Sequence, residues 1–276
     1  VADPGFATLQ GLILDMQELA ILPKPALITT LRILATAYQG WIQQETARLT
    51  DPAEGLAAHQ DAAQRALIAC QQAHDRIQAG IDLIDQNPQA EAAFRFANRA
   101  MALQRVHAIR AQQVRKKERE PGLDVTDVDV PDNRRWRLFQ LAFILLNLPS
   151  VTDLHHPDRS HATDALVDLL WFATGGGKTE AYLGLTAYVL ALRRLQGAIE
   201  GRRGDHGVAV LMRYTLRLLT VQQFQRAAAL LCACEVIRRE EPATWGEPPF
   251  RLGLWVGKKN TPNTLQQAAE VLEQAQ

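Results

Sequence analysis

Ala173-Thr174-Gly175-Gly176-Gly177-Lys178-Thr179 is the stretch on which the reading of this chain turns. An apolar run, 165–172, precedes it, and about sixteen helix-forming residues follow. Consecutive glycines let the backbone take positive φ and turn its N–H groups inward, which makes an anion nest. A helix that starts at the same place aims its positive end at the same anion. Lys178 then has the position to neutralise the β- and γ-phosphates of a nucleoside triphosphate, and the Thr179 hydroxyl that to hold Mg²⁺. Phe172 stands where the G-x-x-x-x-G-K-T pattern has its first glycine. That departure spoils the formal match and leaves the turn and Gly177-Lys178-Thr179 intact. ATP–Mg²⁺ binding at Thr174, Gly175, Gly176, Gly177, Lys178 and Thr179 is the expectation. Glu180 follows at once, and an acid in a first helical turn has two readings: a group of the nucleotide site, or a simple complement to the helix dipole.

Working outward, apolar runs recur at 208–212 and 252–256, each followed by a helical pattern. One runs from about 216 to 239; the other starts at Thr261-Pro262-Asn263, with Thr as N-cap and Pro at N1. Strand–helix alternation of this kind predicts an α/β fold with a parallel sheet and crossover helices. Upstream, a helical segment is expected from Trp136 through Leu146, ahead of Pro149 and a polar loop rich in His and Asp. His155, His156 and His161 match no zinc spacing, and no metal is expected there.

The first 120 residues read as helices. Apolar residues recur at three- and four-residue steps from Leu27 to Ile42, from Leu67 to Ile84, and from Ala93 to Val114. Pro121-Gly122 and an acidic stretch with Asp124, Asp127, Asp129 and Asp132 mark a boundary. The expected organisation is a helical domain at 1–120, an acidic linker at 121–133, and an incomplete first RecA-like lobe at 134–276.

Composition narrows the class. The chain has 276 residues, 30 basic and 30 acidic side chains and 47% hydrophobic residues, which excludes fibrous, disulfide-rich and disordered classes. Its first half is mildly acidic and its second mildly basic, so bulk charge alone does not identify a nucleic-acid binder. Three cysteines form no disulfide framework, and Cys232 and Cys234, two apart on a helix, point to nearly opposite faces. No apolar stretch approaches the roughly 20 residues of a membrane span, and no secretory signal opens the chain. A soluble cytoplasmic protein, or a piece of one, is the expectation.

The string Phe172 to Glu180 resembles motif I of superfamily 2 helicases. Arg213-Tyr214-Thr215-Leu216-Arg217 and the residues to Gln223 resemble their motif Ia, and Thr261-Pro262-Asn263 a motif Ib helix start. Arg137-Leu138-Phe139-Gln140-Leu141-Ala142 resembles the segment whose Gln reads adenine in many of these enzymes, although Gln140 alone is equally compatible with local hydrogen bonding. More narrowly, "LLWFATGGGKTEAYLGL", "LMRYTLRLLTVQQFQRA" and "LGLWVG" resemble the DrmA family, helicase-like proteins of bacterial DISARM anti-phage systems. The resemblance implies an ATP-dependent translocase acting on single-stranded DNA, or on duplex with a single-stranded end, with a DrmB-type partner. Arg213, Thr215, Arg217 and Thr261 would hold the DNA backbone through helix N-termini and charge. Ordinary capping by the two threonines and solvation of the two arginines explain them equally well.

Two parts of a motor are missing from the 276 residues. No strand end carries the acidic pair that organises Mg²⁺ for hydrolysis, and no second lobe follows. The expectation is the N-terminal part of a larger helicase that binds ATP and turns it over poorly by itself. Two other classes stay open: a P-loop regulatory NTPase or kinase, and a non-enzymatic module whose helices dock a partner.

Overall fold

The structure, a computed structural model, describes residues 9–116, 124–171, 175–213, 217–255, 262 and 264–274. Helices dominate: α1 (Met16–Ile21), α2 (Lys24–Thr50), α3 (Gln60–Gln86), α4 (Pro88–Arg115), α5 (Leu138–Thr152), α6 (Pro157–Ser160), α7 (Lys178–Gln196), α8 (Arg217–Glu240), α9 (Pro242–Trp245) and α10 (Leu265–Gln274). The three apolar series of the first 120 residues fall on α2, α3 and α4. Asn87 does double duty at the α3–α4 junction. It ends α3 in an extended conformation and caps α4, accepting from the N–H groups of Gln89 (2.9 Å) and Ala90 (3.1 Å), with Pro88 in the first turn.

α4 lies at the centre. Its buried positions are rich in alanine (Ala90, Ala93, Ala97, Ala100 and Ala102), which lets neighbouring helices approach closely. α7 offers a matching face of Leu183, Ala187, Tyr188 and Ala191, and all of these residues share one core with α1, α2, α3, α5 and α8. Two polar pairs lie inside that core. The Trp136 indole donates to Asn98 Oδ1 at 2.7 Å, and the Thr152 and Tyr188 hydroxyls meet at 2.7 Å. The turns between residues 124 and 135 press Val128 into the interior, and Arg134 pairs with Asp15 at 2.9 Å.

Where α3 crosses α5, Gly80 is indispensable. A Cβ there would lie 2.0 Å from the Leu145 carbonyl oxygen. Pro149, inside α5, has no N–H to give that carbonyl, so the helix leaves it free at the crossing.

The expected parallel sheet is not there. Among the described residues the sheet structure is one antiparallel hairpin, β1 (Ala198–Ile199) with β2 (Arg202–Arg203), joined through Gly201 at φ +74°. The described parts of the three apolar runs, 165–171, 208–212 and 252–255, form no strand. The RecA-like α/β expectation is therefore corrected to a helical fold with a short hairpin. The reason is cover: a strand of a parallel sheet needs a neighbouring strand and helices over both faces. Val167 is 95% exposed, Trp171 84%, Leu211 87% and Trp255 76%, so each run lacks that cover at these positions. The first is held by charge instead, through a bidentate pair between Arg76 of α3 and Asp168 at 2.6 and 2.7 Å.

Smaller departures have local causes. α5 continues through Pro149 to Thr152, beyond the expected Leu146. α10 begins at Leu265, where the Thr264 hydroxyl accepts from the Gln267 N–H at 3.2 Å, so Thr264 serves as cap and Pro262 precedes the helix. Cys232 is exposed and Cys234 buried, on opposite faces of α8 as their spacing requires. No helix among the described residues is long and apolar enough to cross a membrane.

Candidate functional site

Gly175 and Gly177 take φ of +82° and +90°, the left-handed region that glycine enters without steric cost, and α7 starts at Lys178 with Gly177 as its N-cap. Two side chains from the start of α5 grip the loop from behind. The Arg137 guanidinium donates to the Gly176 carbonyl (2.7 Å), and the Gln140 amide nitrogen donates to the Gly177 carbonyl (2.7 Å). Gln140 Oε1 in turn accepts from the Arg137 backbone N–H at 2.8 Å, which closes the cap of α5.

This grip sets the direction of the loop's donors. In a trans peptide the N–H points opposite to the C=O of the same unit. Carbonyls of Gly176 and Gly177 turned toward α5 therefore direct the N–H groups of Gly177 and Lys178 to the other side. Those N–H groups belong to the end of α7 whose donors lack intrahelical partners. A Cβ on Gly177 would lie 2.7 Å from the Gln140 amide nitrogen and 3.5 Å from Glu180 Oε2, so the cradle admits glycine alone at this point.

Lys178 and Thr179, both half-buried, occupy the first turn of α7. Glu180 is 8% exposed, and its Oε1 accepts from Arg105 of α4 at 3.3 Å and from Arg226 of α8. Its Oε2 is buried without a partner among the described residues. Arg105 and Arg226 thus pair with one carboxylate, Arg137 holds the loop beside it and Lys178 stands in the same turn of α7, so the balance around the loop is positive. An arrangement of positive-φ glycines, a helix N-terminus and excess cationic charge suits a phosphate group.

Gln140, Gly175, Gly176, Gly177, Lys178, Thr179 and Glu180 are thus brought together. Thr174 lies outside the described residues, as do Thr215 and Thr261. Arg213 is exposed beyond the last apolar residues of its run, and Arg217 forms the first turn of α8. A groove of about 1160 Å³ lies elsewhere: it runs between α5, α7 and the 208–213 segment, and no residue of the glycine loop lines it. His156 and His161 accept from the N–H groups of Asp158 (3.2 Å) and Asp164 (3.0 Å) and serve as turn caps. Among the described residues no group of His, Cys, Asp and Glu is arranged to hold a metal ion.

Sequence reasoning passed over two residues here, Arg105 and Arg226, and gave Arg137 no role of its own. Arg137 carried a signal, since it opens the segment that holds Gln140 and stands three before it in the spacing of a capping box. The other two carried none.

No protein-family model matches the chain. Over 247 residues it is 39% identical to the DISARM protein DrmA of Bacillus paralicheniformis, an alignment that takes in 88% of this chain and 20% of that protein. The chain spans about a fifth of the length of the curated relative it matches. With that identity extending over nearly the whole chain, it resembles DISARM protein DrmA and is its relative.

Proposed function

We propose that the glycine loop and the first turn of α7 bind the phosphates of ATP, and that the chain is the nucleotide-gripping part of an ATP-dependent DNA helicase or translocase in phage defence. The observation that supports this most directly is the pair of bonds from Arg137 and Gln140 to the Gly176 and Gly177 carbonyls. They hold the loop with the N–H groups of Gly177 and Lys178 directed to the side away from α5, where the phosphates would sit. Lys178 supplies charge to the terminal phosphates and the Thr179 hydroxyl a ligand for Mg²⁺. Gln140 already bonds Gly177 and Arg137, and its second amide hydrogen and second oxygen lone pair are what it would offer adenine. DNA backbone binding falls to Arg213, Thr215, Arg217 and Thr261, and a DrmB-type protein is the proposed partner in the cytoplasm. Relationship to a DISARM protein supports the defence role.

The test is a titration of the chain with a fluorescent ATP analogue and Mg²⁺. Saturable binding abolished in Lys178→Ala is expected; equal binding by the variant overturns the reading. In a full-length protein carrying this chain, the same substitution removes DNA-stimulated ATP hydrolysis, whereas the 276 residues alone turn ATP over slowly.

A further inference from the structure

Glu180 is the one carboxylate in the first turn of α7, and two other helices meet on it. Arg105 comes from α4, seventy-five residues earlier, and Arg226 from α8, forty-six residues later. Arg105 is itself fixed, because its Nε donates to the Asn133 carbonyl at 3.1 Å. Both guanidiniums converge on Oε1, while Oε2 stays buried beside Gly177. A lone acid placed only to complement a helix dipole gains a few tenths of a kcal/mol to about 1 kcal/mol from an exposed site and needs no such partners. Burying it between two arginines makes it sensitive to its surroundings, since charge-assisted bonds in a poorly solvated place are strong and directional.

We infer that Glu180 is a positioning residue through which the state of the glycine loop is passed to α4 and α8. The inference rests on the phosphate-binding reading of the loop. An anion settling on the N–H groups of Gly177 and Lys178 fixes the first turn of α7 and thereby the Glu180 carboxylate. Glu180 then holds Arg105 and Arg226 in one geometry, and with them the middle of α4 and the first half of α8. α8 begins at Arg217, beside the residues assigned to DNA, so the carboxylate joins the two ends of the proposed motor cycle. By linkage the coupling is reciprocal: whatever steadies α8 steadies the loop.

Amide hydrogen exchange with a non-hydrolysable ATP analogue and Mg²⁺ tests this, with binding followed separately by fluorescence. In the unmodified chain the analogue is expected to slow exchange in the segments around Arg105 and Arg226 about tenfold, the factor that one charge-assisted hydrogen bond contributes to local stability. Arg226→Gln keeps the response of α4 and loses that of α8. Arg105→Gln does the reverse, and Glu180→Gln loses both. Protection confined to the loop and the start of α7, or an α8 response that survives in Arg226→Gln, overturns the inference while leaving the phosphate site standing. Absence of analogue binding to the unmodified chain overturns both. Arg105 and Arg226 are 31% and 32% exposed, so their truncation leaves the core intact and the test stands even where Glu180→Gln does not fold.

Discussion

Replacing Gly177 by alanine separates the shape of the loop from its mere composition. Two costs add at this position. At φ +90° an alanine is in the left-handed region, which costs a residue with a Cβ about 1–2 kcal/mol. The same Cβ falls 2.7 Å from the Gln140 amide nitrogen, which displaces Gln140 and breaks its bond to the Gly177 carbonyl, a further loss of about 1 kcal/mol. Gly175 provides the control. Its φ is +82°, yet nothing lies within 4 Å of its Cβ position, so Gly175→Ala carries the conformational cost alone.

Urea unfolding of the two variants should therefore differ by about 1 kcal/mol, with Gly177→Ala the weaker. Adding Gln140→Ala to each isolates the clash. The penalty of Gly177→Ala shrinks by about 1 kcal/mol when Gln140 is already gone, whereas that of Gly175→Ala does not change. Analogue binding follows the same order, with Gly177→Ala losing more affinity than Gly175→Ala. Equal stabilities for the two alanine variants, or strict additivity of Gly177→Ala with Gln140→Ala, would refute the grip of α5 on the loop.

Two other perturbations test the frame around the site. Gly80→Ala forces a Cβ to within 2.0 Å of a backbone oxygen of α5, so α3 and α5 must part; a loss of about 3 kcal/mol or more is expected in denaturant unfolding, and a loss below 1 kcal/mol contradicts the crossing. Glu235 of α8 carries an acid-sensitive share of stability. Burial raises its pKa, but hydrogen bonds from Arg238 (2.9 Å, twice) and from the Phe250 N–H outweigh burial and hold the carboxylate below its ordinary 4.5. A folded pKa below the unfolded one means stability that is present above pH 4.5 and lost as pH falls through the folded value. The difference in unfolding free energy between the unmodified chain and Glu235→Gln should then narrow on acidification from neutral pH; a difference that widens refutes the pairing.

What could be read from the sequence was what depends on near neighbours. α2, α3 and α4 follow the spacing of their apolar residues, α7 follows a run of helix-forming residues, and the opposed faces of Cys232 and Cys234 follow from the turn angle of a helix. The turn at Gly175 and Gly177 and the helix start at Lys178 were legible because both are written in consecutive residues. The parallel sheet was misread for a reason of principle. A short apolar run has the composition of a buried strand whether or not anything covers it, and cover is not a property of the run. Trp171 and Leu211 look like core residues in one dimension and lie in solvent in three.

Glu180 illustrates the opposite failure. The residue had a sufficient local explanation in the helix dipole, so nothing in its neighbourhood called for partners. The partners that hold it are seventy-five and forty-six residues away, on helices whose apolar spacing says nothing about where a single arginine reaches. Gln140 shows the same limit at a distance of thirty-seven residues: its match to an adenine-reading segment directed attention to a base, while its amide spans the loop carbonyl and its own helix cap. In each case the motif drew attention to the residue, and long-range hydrogen bonding determines what its side chain touches. A site of this kind is therefore tested best by variants at the distant partner. Truncating Arg226 or Gln140 disturbs the loop without touching the glycines that define it, and only the arrangement described here makes those residues matter to it.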